Sequence, residues 1–277
     1  MPRIAKYTEE EIAKLRESAN VVAVTLAEVA KVINPGVPLS YLDQVAETCI
    51  RDHHAIPACK GYMGYPATLC LSVNDVVVHG IPTPNQYLRD GDIVSVDCVA
   101  LLDGYHGDFC YTFEVGEVDP ETKLLLQRTK EALYKAIAVA KEGNTFAQVA
   151  STIEQYIAQF DYSVPAQYTG HGIGKSMHEE PSIPNYAVRR FDSLNRLRIE
   201  KGMSFCVEPM VKIGLGRGCG DKNVFNSKID SDGWTAHTPD GKPAAHFEHQ
   251  LVITEKGTEV ISSYKLLGDV IGTEELY

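Results

Sequence analysis

The sequence predicts a mixed α/β fold of the α+β type, because amphipathic helices and short strands recur along it in one repeated order. Two segments with apolar residues every three or four positions are followed by a group of alternating apolar runs, and this order occurs twice. Asp103-Gly104, a dipeptide typical of a two-residue hairpin turn, lies between two such runs. We therefore predict a single domain over residues 1–277 with two pseudo-symmetric helix–helix–strand halves, at about 8–115 and 119–262.

Composition and charge exclude several classes of protein. The net charge is −11 and the pI is about 5.3, which is unfavourable for a nucleic-acid-binding surface. Apolar runs stay shorter than the roughly 18–20 residues of a membrane span, and the N-terminal stretch lacks the apolar core of a signal peptide. The seven cysteines include no C-x-x-C pair, which indicates reduced thiols. We expect a cytoplasmic protein that binds neither nucleic acid nor a membrane.

The first half begins with two predicted helices. Thr8 and Glu11 form a capping box before an apolar stripe that continues to residues 34–36, which are Asn-Pro-Gly. Ser40 with Asp43 predicts the start of the second helix in the same way. The stretch that follows reads as strands broken by Gly and Pro.

The second half repeats this order. Asp119-Pro120 predicts the cap and first residue of a helix that runs to about Gly143. Thr145 with Gln148 predicts the cap of the next helix. Strand-like runs then follow, around residues 167–174, 203–213 and 246–254.

Two stretches interrupt the second half. Residues 186–201 hold a cluster of basic side chains, and residues 214–233 are rich in Gly, Asp, Asn and Ser. Both are predicted to be solvated loops at the rim of the fold. The tail from Thr258 onward carries no recognisable motif.

The predicted hairpin brings two carboxylates together. If Asp103-Gly104 forms the turn, Val99 faces Asp108, and Asp97 lies on the same face as a diagonal neighbour of Asp108. Diagonal neighbours lie about 7–8 Å apart at the backbone. Two carboxylates this close within apolar strands repel each other unless a positive charge lies between them. The hairpin therefore predicts a shared cation.

Polar residues in otherwise apolar runs supply further candidate ligands. His171, Glu208 and Glu248 lie within such runs, and His79 and His178 lie beside them. A carboxylate in an apolar strand is unfavourable unless it is paired or bound to a metal. Each residue alone has an ordinary explanation, as a solvent-facing Glu or a hydrogen-bonded core His. Together with the aspartates of the hairpin, they indicate a metal site.

Seven short motifs carry a resemblance to a known family: His79 in VVVHGIP, Asp97 in DGDIVSVD, Asp108 in DGYHGD, His171 in TGHGIG, His178 in MHEEP, Glu208 in VEPM and Glu248 in FEHQLVIT. In order, spacing and flanking residues, they resemble the methionine aminopeptidases of the bacterial type I kind. The resemblance covers the chain from the first helix to about residue 262. It implies the pita-bread fold, in which two pseudo-symmetric halves share a curved, mostly antiparallel sheet.

The resemblance implies a dinuclear metal site and a hydrolytic reaction. Asp97, Asp108, His171, Glu208 and Glu248 would hold two divalent ions, with Asp108 and Glu248 bridging them. Four carboxylates and one imidazole suit Co, Mn, Fe(II) or Zn, and the identity of the ions stays open. Such a pair activates a water, which would attack the first peptide bond of the substrate.

Further roles follow from the same resemblance. Glu208 would pass the proton of the water to the leaving amine, His178 would stabilise the oxygen of the tetrahedral intermediate, and His79 would hydrogen-bond the substrate backbone. The substrates would be the N-termini of nascent polypeptides at the ribosome, with methionine first and a small residue second, and the enzyme would be a monomer. An apolar pocket would take the methionine side chain between Cys59, Tyr62, Tyr65, Cys70, Met177 and Trp234.

Four positions depart from what many family members show. Met63 stands where His is common, Val99 and Phe109 stand where a hydroxyl residue is common, and Gln250 stands where Thr is common. Because Val99 shares the face of Asp108, we expect it to remove a hydrogen bond beside the metals. These changes bear on metal preference and rate and leave the type of reaction unchanged.

Two alternatives stay open. A prolidase-like dipeptidase uses the same fold, but the domain that precedes it in prolidases has no counterpart in this sequence. A non-catalytic binding module would have lost metal ligands, whereas the whole set is present here. Metal-dependent cleavage of a methionine peptide distinguishes both from an aminopeptidase.

Overall fold

The computed structural model describes residues 4–187, 195–216, 221–275 and 277. Its helices are α1 (Glu9–Ala30), α2 (Leu39–Asp52), α3 (Pro120–Val139), α4 (Phe146–Ile157) and α5 (Lys265–Ile271), with 3₁₀ turns at Tyr62–Gly64 and Ala158–Phe160. Its strands are β1 (Ile56–Pro57), β2 (Leu69–Val73), β3 (Val76–Val78), β4 (Ile93–Leu102), β5 (Tyr105–Glu114), β6 (Val164–Pro165), β7 (Thr169–Gly172), β8 (Glu179–Pro184), β9 (Ser204–Val207), β10 (Met210–Lys212), β11 (Val224–Phe225), β12 (Lys228–Ile229), β13 (Ala236–His237), β14 (Ala244–His246), β15 (His249–Thr254) and β16 (Gly257–Val260).

Side chains cap the helices where the sequence predicts caps for α1, α3 and α4. The Thr8 hydroxyl accepts the N–H of Glu11 at 3.3 Å, and the Glu11 carboxylate accepts the N–H of Thr8 at 3.0 Å. Asp119 caps α3, and Thr145 caps α4 with a second capping box. These three predictions are confirmed. Capping satisfies N–H groups that have no partner inside the helix, so the signal is local and readable from sequence.

The predicted cap of α2 is wrong. This helix begins at Leu39 after Pro38, which has no side-chain cap, so Ser40 lies inside the first turn. The Asp43 carboxylate instead accepts the N–H groups of Thr68 at 2.9 Å and Leu69 at 2.8 Å. Asp43 therefore ties α2 to the start of β2.

Two helices end earlier than predicted. Helix α1 ends at Ala30 and α3 ends at Val139, before the Asn-Pro-Gly and Gly signals that were expected to close them. After α1, the N–H groups of Val32 and Ile33 bond to carbonyls three residues back. This tighter turn ends the α-helix before the chain reaches the proline.

The β4–β5 hairpin has the predicted register. Val99 faces Asp108 across the ladder, and Asp97 faces Cys110. Asp103 and Gly104 have φ angles of 49° and 82°, as a two-residue turn of this kind requires. The prediction that Asp97 and Asp108 share one face of the hairpin is confirmed.

Glu208 and Glu248 lie at breaks between strands, so the prediction of continuous strands through them is wrong. Glu208 and Pro209 separate β9 from β10, while Phe247 and Glu248 separate β14 from β15. Pro209 has no N–H with which to continue a ladder. Each glutamate is therefore turned out of the regular pairing of its sheet.

The two predicted loops are only partly described. Residues 188–194 and 217–220, with Cys219, lie outside the described residues. Within the second stretch, β11 pairs in parallel with β6, and Phe225 is fully buried. The prediction that 214–233 is a solvated loop is therefore wrong for β11, because its apolar side chains fill the core.

The sheets are mostly antiparallel, which confirms the predicted fold class. One sheet has the order β16-β15-β9-β7-β8, and another joins β1, β4 and β2, with β5 also paired to β4. The helix–helix–strand order is present in both halves, and the duplication itself stays a prediction. Within the described ranges, no helix combines the length and apolar character that a membrane span needs.

Candidate metal centre

A cavity of about 570 Å³ opens between the strands of the first half and those of the second. This volume is in the usual range for a small-ligand site. All the predicted site residues line it together: Cys59, Tyr62, Tyr65, Cys70, His79, Asp97, Asp108, His171, Met177, His178, Glu208, Trp234 and Glu248. The structure thus brings the predicted set into one place, and their individual roles stay predictions.

The carboxylates of this cavity are buried close to one another. Asp108 is 3% exposed and Glu248 is 2% exposed. Burial raises the pKa values of Asp108, Glu208 and Glu248 well above their ordinary range, and neighbouring carboxylates raise them further. Burial also raises the pKa of Asp97. Such a group of buried acids is unfavourable as anions unless a cation balances them.

Several polar atoms of this group have no protein partner. Asp108 Oδ1 and Glu248 Oε1 are buried without a hydrogen bond to any described residue. Buried polar atoms are normally satisfied, so unpaired carboxylate oxygens that face a cavity indicate a binding site for a divalent cation. The donor set of carboxylate oxygens and imidazole nitrogen therefore fits a metal ion.

His171 presents a free nitrogen to the acids. Its Nε2 lies 3.5 Å from Glu208 Oε1 and 3.7 Å from Asp108 Oδ2. Its Nδ1 donates to the carbonyl of Gly172 at 3.0 Å, which leaves the Nε2 lone pair facing the cavity. Burial, and then the neighbouring His178, lower the pKa of His171 to about 3. A neutral imidazole in this orientation is suited to ligation.

Potential ligand atoms form two overlapping groups. One contains Asp108, His171, Cys206 and Glu248, and the other contains Glu208, His246 and Glu248, with the ligand atoms of each group within 4.8 Å of one another. Glu248 belongs to both groups. Asp97 lines the same cavity outside both groups, so its place as a ligand stays a prediction.

Sequence reasoning missed two members of these groups. Cys206 precedes Glu208 by two positions, and His246 precedes Glu248 by two positions. In the continuous strands that the sequence predicts, residues two apart share a face, so this spacing was the available signal. The Cys206 thiol is buried, and its pKa is raised by burial and by the surrounding carboxylates.

Two further imidazoles line the mouth of the cavity. His79 follows β3 with a φ of 59°, in the left-handed region that a side chain rarely adopts, and its ring lies 5.2 Å from that of Tyr168. Burial, followed by the influence of His246 and His178, lowers the pKa of His79 to about 4. His178 Nδ1 lies 2.9 Å from the Tyr62 hydroxyl. If this hydroxyl donates, Nε2 of the neutral His178 carries the proton.

The segment that carries His178 is attached to the rest of the fold at its start. The N–H and Nδ1 of His106 both donate to the carbonyl of Gly174, at 2.9 Å and 3.0 Å. Gly174 also lies against Tyr7, whose hydroxyl would be 1.8 Å from any β-carbon added there. That hydroxyl donates to the carboxylate of Glu179 at 2.7 Å. The N-terminal segment therefore helps to position this part of the cavity.

An apolar cluster forms one wall of the cavity. It contains Cys59, Tyr65, Cys70, Met177 and Val99, with Trp234 packed against it. Val99 is thus part of this apolar wall, so the structure gives it a packing role where the sequence predicted only a lost hydrogen bond. Met63 is 81% exposed at the cavity mouth.

Other departures from the family pattern lie behind the acids. Gln250 Oε1 accepts the N–H of Asp108 at 3.1 Å, and its Nε2 donates to the carbonyl of His106 at 3.3 Å. Gln250 therefore joins β15 to β5 directly behind a predicted ligand. Phe109 is fully buried beside the ring of Tyr264, away from the cavity.

The tail, in which the sequence showed no motif, also supports the site. The Tyr264 hydroxyl accepts the N–H of Glu248 at 3.0 Å and lies within 2.7 Å of the Glu248 carbonyl and 2.5 Å of the Cys110 carbonyl. The N–H of Glu248 also bonds to the Cys110 carbonyl at 3.0 Å. Tyr264 thus holds the segment between β14 and β15, which carries Glu248, against strand β5 of the β4–β5 hairpin.

His237 forms a charged clamp beneath the segment that carries Trp234. Its Nδ1 lies 2.9 Å from Asp75 and its Nε2 lies 3.2 Å from Asp230. Burial lowers the pKa of His237, but the hydrogen bonds and charges of Asp75 and Asp230 outweigh burial, so the pKa is raised overall. The stabilisation by His237 is complete below its unfolded pKa of about 6.5 and is lost as the pH rises through the raised folded value.

We expect this clamp to be visible in the fluorescence of Trp234, the single tryptophan of the chain. Its emission should change as the pH rises through the raised pKa of His237, whereas His237→Lys, which stays charged, should flatten the change. The stability effect should be at most about 1 kcal/mol, because the pair is partly exposed. An unchanged titration in His237→Lys would contradict this assignment.

Comparisons with known proteins agree with this geometry. The pattern of metallopeptidase family M24 matches residues 13–255. The methionine aminopeptidase of Borreliella burgdorferi is 42% identical over 255 residues, which cover 92% of this chain and 96% of that protein. The crystal structure of methionine aminopeptidase from Thermotoga maritima superimposes with a TM-score of 0.86 at 38% identity, covering 94% of this chain and all of that one. A prolidase from Pyrococcus furiosus shares the fold at a TM-score of 0.71 and 18% identity.

Proposed function

The chain belongs to metallopeptidase family M24, and from that membership we propose how its acidic cavity acts on a peptide. The reaction is the removal of an N-terminal methionine when the second residue is small, as in the methionine aminopeptidases that it resembles over most of its length. The observation that carries this conclusion is that the buried acids and the apolar wall line one cavity. The fold is accordingly the pita-bread fold.

We assign the metal ligands to five side chains. Asp97, Asp108, His171, Glu208 and Glu248 would hold two divalent ions, and the sharing of Glu248 between two ligand groups supports a pair. Oxygen-rich sites with an imidazole suit Co, Mn, Fe(II) or Zn. When bound, such ions lower the pKa of a water and polarise the scissile carbonyl.

Glu208 is suited to move a proton between the water and the leaving amine. Burial raises its pKa well above the ordinary range, which favours the uptake of a proton by this carboxylate. His171 and His246 lie 3.5 Å and 3.3 Å from its two oxygens, so an imidazole flanks each side of the carboxylate. A proton taken by Glu208 can therefore be returned within the same cavity.

His178 and His79 are suited to bind the substrate backbone. With Nδ1 of His178 accepting from Tyr62, its Nε2–H can donate to the oxygen of the tetrahedral intermediate. His79 lies against Tyr168 and Trp234, where a neutral ring can hydrogen-bond the peptide near the scissile bond. Both assignments agree with the lowered pKa values of the two rings.

The apolar wall is suited to a methionine side chain. Cys59, Cys70 and Met177 offer sulfur and aliphatic surface, while the rings of Tyr65 and Trp234 pack edge-to-face with their centroids 5.1 Å apart. Tyr62 adds the remaining edge beside His178. An unbranched thioether fits this mixture of polarizable and aromatic surface better than a charged or β-branched side chain.

Neither alternative receives support from a specific observation. The prolidase likeness is one of fold alone, at 18% identity over part of that longer chain. A non-catalytic module has no use for several unpaired buried acids around a neutral imidazole. We therefore retain the aminopeptidase.

The cellular setting follows from the chemistry of the substrate. Nascent polypeptides carry N-terminal methionine, and we propose that a monomer acts on them in the cytoplasm as they leave the ribosome. Two observations support this: one chain contains the whole cavity, and its described cysteines, Cys49, Cys59, Cys70, Cys98, Cys110 and Cys206, are free thiols.

A peptide assay tests the proposed function. The metal-depleted protein should be inactive, and added Co²⁺, Mn²⁺, Fe²⁺ or Zn²⁺ should restore cleavage of Met-Ala-Ser. Leu-Ala-Ser should be cleaved at least about 100-fold less efficiently, since one misfitting side chain changes the transition state by a few kcal/mol. Preferential cleavage of Ala-Pro would favour the prolidase, and inactivity on Met-Ala-Ser with every metal would favour the binding module.

A further inference from the structure

His246 ends strand β14 with its ring in the metal cavity. Its Nε2 lies 3.3 Å from Glu208 Oε2 and has no hydrogen-bond partner among the described residues. The residue is only 3% exposed, so water from outside does not satisfy this nitrogen. A buried imidazole nitrogen that faces carboxylates without bonding to them is the state expected of a ligand in a metal-free protein.

The backbone of His246 is held in place on both sides. Its N–H donates to the Thr112 hydroxyl at 3.0 Å, and the same hydroxyl donates to its carbonyl at 2.7 Å. His246 also pairs with Met210 across the β10–β14 ladder. Such attachment to β5 and β10 fixes the backbone from which the ring projects into the cavity, as a binding role requires.

Charge and chemistry distinguish His246 from the neighbouring His249. His249 is also buried, but its ring stacks on Tyr264 at 3.9 Å and its Nδ1 bonds to Ser262, away from the cavity. His246 instead lies with Glu208 and Glu248 in a group whose ligand atoms are within 4.8 Å of one another. His171 lies in the other group, with Asp108 and Glu248. Each group therefore contains one imidazole.

We propose that His246 is a sixth protein ligand of the metal centre, so that each of the two ions has one imidazole nitrogen. The inference rests on the proposed metal-dependent function and adds a second imidazole nitrogen to the five ligands that the family resemblance implies. An imidazole ligand favours Zn, Fe(II) and Co over Mn, because Mn prefers oxygen donors. The site that includes His246 should therefore bind Co²⁺ more tightly than Mn²⁺.

Paramagnetic proton NMR of the Co²⁺-loaded protein tests the proposal directly. A histidine that binds Co²⁺ through Nε2 keeps an exchangeable Nδ1–H, whose signal shifts far outside the normal range and disappears in D₂O. The wild type at two Co²⁺ per chain should show two such signals, and His246→Gln should show one. His53→Gln, at an exposed histidine on α2's C-terminal end, is the matched control and should keep both.

Calorimetric titration with Co²⁺ supplies the second measurement. His246→Gln should weaken one of the two binding steps by about 10–100-fold and leave the other within a few-fold. His246→Asn, which is smaller, should behave in the same way.

The outcomes separate the two claims. One shifted signal in the wild type, unchanged by His246→Gln, overturns His246 as a ligand and leaves the metal centre intact. No Co²⁺ binding overturns both the proposed function and this inference. Two shifted signals that both persist in His246→Gln also overturn His246 as a ligand. If His246→Gln does not fold, His246→Asn supplies the same signal count.

Discussion

Glu208→Gln is expected to lower kcat/KM for Met-Ala-Ser by about 10²–10⁴-fold, the usual contribution of a positioned acid–base group. Glutamine keeps the size of the side chain but can neither accept a proton nor balance a cation as an anion. Steady-state kinetics at saturating metal measures the effect. Glu255→Gln, at an exposed glutamate paired with Lys201, is the matched control and should retain full activity.

Asp97→Asn provides the informative contrast with Glu208→Gln. Asp97 is predicted to act only as a ligand, so its loss should reduce metal content and activity while the circular dichroism spectrum stays unchanged. Excess metal should then restore part of the activity of Asp97→Asn and none of that of Glu208→Gln. Equal rescue of the two variants would contradict the assignment of Glu208 as the proton carrier.

Removal of metal is expected to lower the thermal midpoint by an amount that grows with pH. The acids have pKa values above those of the unfolded chain, which are about 3.9–4.3. The metal-free folded protein therefore binds more protons than the unfolded one, and its stability falls as the pH rises from about 4 through the raised pKa values. Metal ions take the place of those protons and restore the lost stability.

The size of this effect follows from binding linkage. At a free metal concentration about 1,000 times Kd, binding adds about 4 kcal/mol, which corresponds to on the order of 10 °C for a chain of this length. Scanning calorimetry with metal and with EDTA should show this difference at pH 7.5 and a much smaller one at pH 5. If the difference in thermal midpoint with metal and with EDTA is independent of pH, the metal does not take the place of protons on buried acids, and the prediction is wrong. In Glu208→Gln, the difference in thermal midpoint between the metal-bound and metal-free protein should depend less on pH, since this variant lacks one of the buried acids.

Local signals explain which parts of the fold were predictable. The caps at Thr8, Asp119 and Thr145 and the turn at Asp103-Gly104 depend on a few adjacent residues, so the sequence predicts them correctly. Ser40 carries the same signal as Thr8, yet Pro38 starts α2 earlier. The proline before the helix and the distant contacts of Asp43 with Thr68 and Leu69 together overturned that prediction.

For the candidate site, the residues that line the cavity were predictable, but the contacts that support them were not. Residues in characteristic motifs, such as His171 and Glu248, were found because their chemistry is unusual in apolar runs. The contacts of Gln250 with Asp108 and of Tyr264 with Glu248 join segments far apart in the chain, which no local pattern encodes. His246 lies two positions before Glu248, which was a signal in the sequence, but its place at the end of β14 and beside the break was not predictable from that spacing.

The bond between Tyr264 and the backbone of Glu248 also sets an order of events during synthesis. The hairpin with Asp97 and Asp108 is complete after fewer than half of the residues have been made, but Glu248 and its anchor come last. Chains are made from the N-terminus and fold in the same direction. A growing chain of this enzyme therefore carries an unfinished cluster of acids until its final helix leaves the ribosome, and only then can it process the N-termini of other chains.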